Sequence, residues 1–157
     1  MHRWLPPPVA FLMGIMMLWL VVRLPPELSF WALEFDFPGR RAVGIAFFSV
    51  GLGLMLFAVR EMQRVRTTVN PLTPERCAVL VTSGVFRLTR NPIYLGDALV
   101  LIGAMFWFGS MWGLVVTGAF VAYVNFVQIR VEEKALRHLF GDDFDEFCAR
   151  TPRWFIR

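Results

Sequence analysis

One long apolar stretch constrains the fold of this chain more than any other feature. Between Asn91 and Ile129 the sequence runs for 39 residues with Asp97 as its one charge. A single helix of that length would measure roughly 58 Å, whereas the hydrocarbon core of a bilayer is about 30 Å thick. The stretch must therefore fold back on itself, and the Phe-Gly-Ser-Met turn at 108–111 lies near its midpoint. We expect a tight hairpin of two membrane-spanning helices, 92–108 and 111–129.

Two further uncharged runs, 4–22 and 42–59, have the length of membrane spans. A cleaved signal peptide is the alternative for the first run, but Arg23-Leu24-Pro25-Pro26 follows it where small residues would mark a cleavage site. Hydrophobic residues make up 57% of the chain and charged residues 18%, against about 25% charged residues in soluble domains. The sequence predicts an all-α polytopic integral membrane protein, a single membrane domain over 1–157 with four transmembrane helices.

Basic residues predict the orientation of the chain in the membrane. Arg3, six arginines in 60–90 and six basic residues in 130–157 lie on one side of the predicted spans, and three arginines lie on the other. The positive-inside rule then places both termini and both polar segments, 60–90 and 130–157, in the cytoplasm, and the second segment should contain a helix. We expect a bacterial inner-membrane protein. The net charge of +4 is thus a topology signal and does not indicate a nucleic-acid partner.

The predicted hairpin brings the ends of the two polar segments together. Asn91-Pro92 is typical of a helix start, with Asn91 as the N-cap and Pro92 in the first turn. Glu132 and Glu133 follow the last span and point about 100° apart, so one of them should face inward. We expect a cleft with a cationic side and an anionic side at this end of the hairpin.

Asp97 lies one turn inside the third predicted span. Ionisable residues at membrane depth are costly and usually have a partner or a function. Asp97 is either a hydrogen-bonding group between helices or part of a polar pocket, and Asn125 and Gln128 on the fourth span are its expected partners in both cases. The two cysteines, Cys77 and Cys148, should be reduced, and no Cys/His spacing indicates a metal site.

Three spaced blocks carry a family resemblance over residues 67–155. They are Ser83-Gly84-Val85-Phe86, then Arg90-Asn91-Pro92-Ile93-Tyr94, and, about 40 residues later, Glu132-Glu133 with Phe140-Gly141-Asp142-Asp143-Phe144 and Thr151-Pro152-Arg153-Trp154. The sequence resembles the isoprenylcysteine carboxyl methyltransferase and phospholipid methyltransferase group of integral membrane enzymes.

The resemblance implies S-adenosylmethionine as the methyl donor and a lipid or amphipathic acceptor that enters from the bilayer. Asn91 stands where the family has a histidine, and an amide side chain does not titrate. Gln128 and Arg130 lie at the position implied for the acceptor. The residues implied for donor binding are Asn70, Ala78, Val79, Leu80, Val81, Phe86, Arg90, Asn91, Pro92, Tyr94 and Glu132.

The predicted function is an S-adenosylmethionine-dependent membrane methyltransferase similar to isoprenylcysteine carboxyl methyltransferase. A phospholipid amine and a small thiol are alternative acceptors, and an amine or a thiol must lose a proton before it attacks. The predicted site holds no histidine, so Asp97, Glu133 or water would have to accept the proton, with the catalytic residue itself undetermined. A non-catalytic membrane accessory protein is the alternative from another class.

Overall fold

The computed structural model describes residues 7–23, 34–65 and 79–155, and within them the regular structure is helical apart from one isolated bridge between Glu34 and Ser110. Asn70, Ala78, Cys77 and residues 4–6 of the first predicted span lie outside the described residues. The helices are α1 (Pro7–Val22), α2 (Arg40–Arg64), α3 (Pro92–Phe108), α4 (Trp112–Tyr123), α5 (Ile129–Phe140) and α6 (Asp142–Arg150).

Two short irregular helices complete the chain trace. A 3-10 turn at Gly84–Arg87 precedes α3, and a π-helical turn at Val124–Gln128 joins α4 to α5, so that Trp112–Phe140 is one continuous helix of 29 residues. The Asn91-Pro92 pair does mark the start of α3. Gly109, with φ of 71°, ends α3 in the left-handed region, which glycine adopts without steric cost.

Helix length and hydropathy bear on the membrane assignment. Arg40–Arg64 and Trp112–Phe140 are long and apolar enough to cross a bilayer, with mean hydropathies of 2.3 and 1.6 in their most apolar windows. Pro8–Leu20 and Pro92–Phe108 are apolar but shorter. Many large apolar side chains on these helices are exposed, such as Leu12, Phe57 and Val115. Exposed apolar surface on this scale suits contact with lipid, and the four-span hairpin topology stays a prediction.

Glycines allow α2 and α3 to pack closely in antiparallel directions. Gly44 and Gly51 on α2 are seven residues apart, as are Gly96 and Gly103 on α3. A Cβ atom on Gly51 would lie 2.6 Å from the carbonyl oxygen of Gly96, and one on Gly44 would lie 2.9 Å from that of Gly103. Both pairs therefore need glycine, as is common where membrane helices approach closely. Gly53 faces open space, so Gly51 takes part in this packing and Gly53 does not.

The two ends of the helix bundle are held differently. At one end, Nη1 of Arg40 donates hydrogen bonds to the carbonyl oxygens of Phe106 and Trp107, and its Nε donates to Asp36 at 3.0 Å. These bonds satisfy carbonyl groups that the last turn of α3 leaves free. At the other end, an apolar cluster that includes Ala58, Val81, Phe86, Phe144 and Phe147 packs α6 and the 3-10 turn against α2. The polar clusters described in the next subsection lie at this second end of the bundle.

Substitution of Gly51 by alanine should destabilise the helix pair, because a Cβ atom 2.6 Å from a backbone oxygen forces α2 and α3 apart. We expect a loss of about 1–3 kcal/mol in the free energy of unfolding. Thermal unfolding of the purified protein in detergent, followed by circular dichroism, measures it. Gly53→Ala is the matched control on the same helix and should leave the transition unchanged or raise it slightly. Equal losses in both variants would contradict close packing at Gly51.

Candidate functional site

Glu133 is the centre of a charged cluster where α3, α5 and the residues after α6 meet. Its Oε1 accepts hydrogen bonds from Nη2 of Arg90 at 2.9 Å and from Nε of Arg153 at 3.0 Å, and its Oε2 accepts one from Nη2 of Arg153. The side chains of Arg90 and Glu133 are 13% and 15% exposed, so this ion pair is largely shielded from solvent. Shielding makes the charges interact strongly and makes each one costly to leave unpaired.

Residues 151–154, here called the C-terminal strap, lie across the start of α3. The backbone N–H of Arg90 donates to the carbonyl of Pro152 at 3.0 Å, and its Nη1 donates to the carbonyls of Cys148 and Thr151. The hydroxyl of Thr89 donates to the carbonyl of Arg153 at 2.9 Å. The strap therefore fixes the loop that leads into α3.

Asn91 occupies the N-cap position of α3, but its side chain does not cap the helix. Its Nδ2 donates to the carbonyl of Arg153 at 2.9 Å, and its backbone N–H donates to the Thr89 hydroxyl at 3.1 Å. The expectation that the Asn91 side chain caps the first turn of α3 is thus wrong. The side chain instead donates to a strap carbonyl that lies 62 residues further along the chain.

The π turn places Asn125 against the strap. Its Oδ1 accepts hydrogen bonds from Nη1 of Arg153 and from Nε1 of Trp154, each at 3.1 Å. A π turn adds one residue to a helix, and the positions after it rotate by about 100° relative to an unbroken α-helix. Such turns are rare and frequent at functional sites. Here the turn lets Asn125 meet the strap while Glu132, on the following helix, meets α3.

Tyr94, Gln128 and Glu132 form a second polar cluster beside the first. The Tyr94 hydroxyl donates to Oε1 of Glu132 at 2.6 Å, and Nε2 of Gln128 donates to the same oxygen at 2.8 Å. Among the described residues, none donates a hydrogen bond to the other oxygen, Oε2. Tyr94 and Gln128 are buried within the helix bundle. The hairpin register thus brings together two residues 38 apart in sequence, and it leaves one carboxylate oxygen available to a ligand.

Asp97 is buried, with 6% of its surface exposed, one turn below Tyr94 on α3. The expected partners bond elsewhere, because Asn125 accepts from Arg153 and Trp154 while Gln128 donates to Glu132. The prediction that they meet Asp97 is therefore wrong. Within the part of the chain that the structure describes, no donor reaches the Asp97 carboxylate.

The remaining predicted site residues fall into two groups. Val81, Phe86 and Pro92 are buried below the clusters, and Leu80 is partly buried there. Val79 is exposed, and Arg130 is exposed with its guanidinium 5.2 Å from the centre of the Phe126 ring, so neither joins the polar clusters. Arg153 and Trp154 are members that the site prediction missed, although the Thr151-Pro152-Arg153-Trp154 block carried their signal.

The described residues show neither a metal-binding group nor a reactive thiol. Across residues 7–23, 34–65 and 79–155 no group of three metal-binding side chains occurs. Cys148 is a free, partly buried cysteine, and burial raises the pKa of its thiol. A protonated thiol is a poor nucleophile, so the chemistry of the site rests on its carboxylates and hydrogen-bond donors.

Comparison with known proteins identifies one family. The family model described as phospholipid methyltransferase matches residues 39–143. No curated protein and no solved structure matches the chain. The matched region contains Arg90, Tyr94, Gln128 and both adjacent glutamates, whereas the strap lies beyond it.

Replacement of Glu133 by glutamine should destabilise the protein, because Arg90 and Arg153 would then lie side by side without a counter-charge. Breaking a buried pair in this way costs on the order of 3 kcal/mol, and thermal unfolding in detergent measures the loss. Glu146→Gln is the matched control. It removes an exposed ion pair with Arg150, at 65–68% side-chain exposure, and should cost less than about 1 kcal/mol. Similar losses in the two variants would contradict a structural role for the Arg90–Glu133–Arg153 cluster.

Proposed function

The chain belongs to the phospholipid methyltransferase family, and from this premise we propose that it is an S-adenosylmethionine-dependent membrane methyltransferase with a donor site around Tyr94, Gln128 and Glu132. The family accounts for membrane methyl transfer. The observation that carries the donor site is the partly buried Glu132 carboxylate, whose second oxygen receives no hydrogen bond from the described residues. The acceptor is a lipid or another amphipathic molecule.

The charges of the residues at this site suit S-adenosylmethionine. The donor has a positively charged sulfur and an ammonium group, and a carboxylate in an apolar bundle is favoured when it meets a cation. Glu132 supplies that carboxylate, held by hydrogen bonds from Tyr94 and Gln128 to Oε1. The Tyr94 ring is fixed by its hydroxyl bond and can add a cation–π contact.

In this reaction the main contribution of the protein is to position the reactants. S-adenosylmethionine supplies a methyl group that an in-line nucleophile can displace from sulfur. Holding two reactants at attack distance contributes roughly 7–11 kcal/mol to the lowering of the barrier. Tyr94 and Gln128 fix the direction of the Glu132 carboxylate, and Glu133 fixes α5 against α3 through Arg90. Burial among apolar side chains excludes water from the same space.

Arg90 and Asn91 are proposed to act on the donor chiefly by positioning. Arg90 donates to two backbone carbonyls and to Glu133, and Asn91 donates to the strap. These bonds hold the first turn of α3, and with it Tyr94. Val81, Phe86 and Pro92 are buried next to the same turn, and Asn70, Ala78, Val79 and Leu80, which precede it in sequence, remain candidates for contact with S-adenosylmethionine.

The proposal includes a topology for the chain. One membrane domain over 1–157 crosses a bacterial inner membrane four times, with α1 and α3 as the two shorter crossings. The polar clusters then lie at the cytoplasmic ends of α3 and the Trp112–Phe140 helix, and Arg40 lies at the opposite end. A cytoplasmic donor pocket agrees with S-adenosylmethionine, which is soluble in water, while the acceptor arrives through lipid.

Glu132→Gln should weaken binding of S-adenosylmethionine by about 10- to 100-fold, because a hydrogen bond to a charged group contributes about 1.5–3 kcal/mol. Isothermal titration calorimetry on the full chain in lipid nanodiscs measures the affinity. Tyr94→Phe keeps the ring and removes the hydroxyl, and should weaken binding less.

Glu146→Gln serves as the control and should bind the donor like the wild type. Unchanged affinity in Glu132→Gln would refute the donor site. If the folded wild type bound no donor at all, the enzyme assignment itself would fail and the non-catalytic accessory protein would be favoured.

A further inference from the structure

An apolar groove lies between α1, α2 and α3. The groove is lined by Ile15 of α1, by Gly44, Ile45 and Phe48 of α2, and by Val100, Gly103, Ala104, Trp107 and Phe108 of α3. All of these residues are apolar or aromatic, and the space between them holds about 340 Å³. From Val100 to Phe108 the groove follows α3 for about 12 Å. Its length and lining suit a hydrocarbon chain.

The groove opens on the outer surface of the helix bundle. Ile45 is 54% exposed, and Phe48 and Trp107 are each 49% exposed. A ligand can therefore enter the groove from the side. Because the exposed apolar side chains of these helices suit contact with lipid, a lipid chain is the ligand that this opening meets in a bilayer.

Arg41 lies at the end of the groove where α2 begins. It precedes Gly44 and Ile45 by three and four residues, so the three positions share one face of α2. Its guanidinium lies 5.7 Å from the centre of the Trp107 ring, and Trp107 is part of the groove wall. This contact between α2 and α3 places a positive charge at one end of an apolar channel.

Helix α1 ends on the same side of the bundle. The Phe11 ring lies 6.3 Å from the Phe120 ring of α4, and a Cβ atom on Gly14 would lie 3.1 Å from the side chain of Val116. Later residues of α1 thus contact earlier residues of α4, so the two helices are antiparallel. Arg23, which directly follows α1, therefore lies at the end of the bundle where α4 and α2 begin.

Arg23 and Arg41 are free to bind an anion. Both are exposed, and neither is paired with a carboxylate among the described residues. Arg40 differs, because its Nε already donates to Asp36. The Arg23 guanidinium lies 5.3 Å from the centre of the Trp19 ring. Stacking on an aromatic ring occupies the face of a guanidinium and leaves its N–H groups available to phosphate oxygens.

We propose that the groove and these arginines form a binding site for an anionic phospholipid, with an acyl chain in the groove and the phosphate at Arg41. Arg23 adds a second positive charge at this end. An anionic headgroup complements two positive charges, whereas a zwitterionic headgroup brings an ammonium group that they repel.

This lipid is bound and is not a methyl acceptor. The arginines lie at the end of the bundle opposite to Tyr94 and Glu132, the residues of the proposed donor site. The inference therefore goes beyond the proposed function, and it does not depend on methyl transfer.

Native mass spectrometry on the full chain, purified and delipidated in detergent, tests the choice of ligand. The chain is titrated with dioleoyl phosphatidylglycerol, which is anionic, with dioleoyl phosphatidylcholine, which is zwitterionic, and with glycerol phosphate, which has no acyl chain. We expect the first lipid to bind about tenfold more tightly than the second, on the scale of hydrogen bonds to a charged group. Glycerol phosphate should show no measurable binding, because it lacks the chain that fills the groove.

Arg41→Gln should weaken binding of phosphatidylglycerol by about tenfold and leave binding of phosphatidylcholine within about twofold, because it removes the charge and keeps the groove. Arg60→Gln is the matched control. Arg60 is an exposed arginine at the other end of α2, so this variant has the same net charge as Arg41→Gln and should bind both lipids like the wild type.

Ala104→Phe tests the apolar part of the site by filling the groove, and should weaken binding of both dioleoyl lipids by about tenfold. Ile45→Trp fills the same space from the exposed wall on α2, and should act alike even if Ala104→Phe does not fold. Ala119→Phe, at an exposed position of α4 outside the groove, is the control and should change neither affinity. Circular dichroism confirms the folding of each variant.

Several outcomes would overturn the lipid site. They are equal affinity of the wild type for the two dioleoyl lipids, wild-type affinity for phosphatidylglycerol in Arg41→Gln, and an equal loss in Arg41→Gln and Arg60→Gln. Wild-type lipid binding in a folded groove-filling variant, or tight binding of glycerol phosphate alone, would also overturn it. Binding of S-adenosylmethionine enters none of these measurements, so failure of the lipid site and failure of the proposed function are distinguishable.

Discussion

The contact between Glu133 and two arginines is the interaction on which the rest of the polar architecture depends. Arg90 belongs to the loop before α3, and Arg153 belongs to the strap, so one carboxylate on α5 holds both. In an environment with little water, none of these charges is stable alone. The position of α5 along α3 is therefore set by charge compensation, and the short bond between Tyr94 and Glu132 follows from that register.

Hydropathy and local signals predicted the helical framework well. Long uncharged runs predicted α2 and the Trp112–Phe140 helix, and Asn91-Pro92 predicted the start of α3, because these features depend on residues that are neighbours in the sequence. Which glycine would touch another helix was less predictable. Gly51 and Gly53 lie two residues apart on the same helix, yet only Gly51 faces α3, and that choice depends on the rotation of α2 against its partner.

The site was predictable where it depended on the folding back of the chain and unpredictable where it depended on distant segments. Bringing Tyr94 near Glu132 required only the turn at 108–111. The π turn could not be predicted from composition, because one added residue changes the rotation of a helix and leaves its hydropathy unchanged. For that reason Asn125 was expected near Asp97 and bonds to the strap instead. The strap contacts of Asn91 and Arg90 join residues about sixty positions apart, which no local pattern reveals.

The strap also has a consequence for how the protein is made. Chains are synthesised from the N-terminus, and early segments begin to fold before later ones exist. The glycine contacts between α2 and α3 can form as soon as both helices have been synthesised. The loop at Thr89–Asn91 can form its hydrogen bonds to the carbonyls of Pro152 and Arg153 only after the ribosome has added these residues, about sixty positions later. A partly synthesised chain can thus hold its helices together while its polar centre is still open.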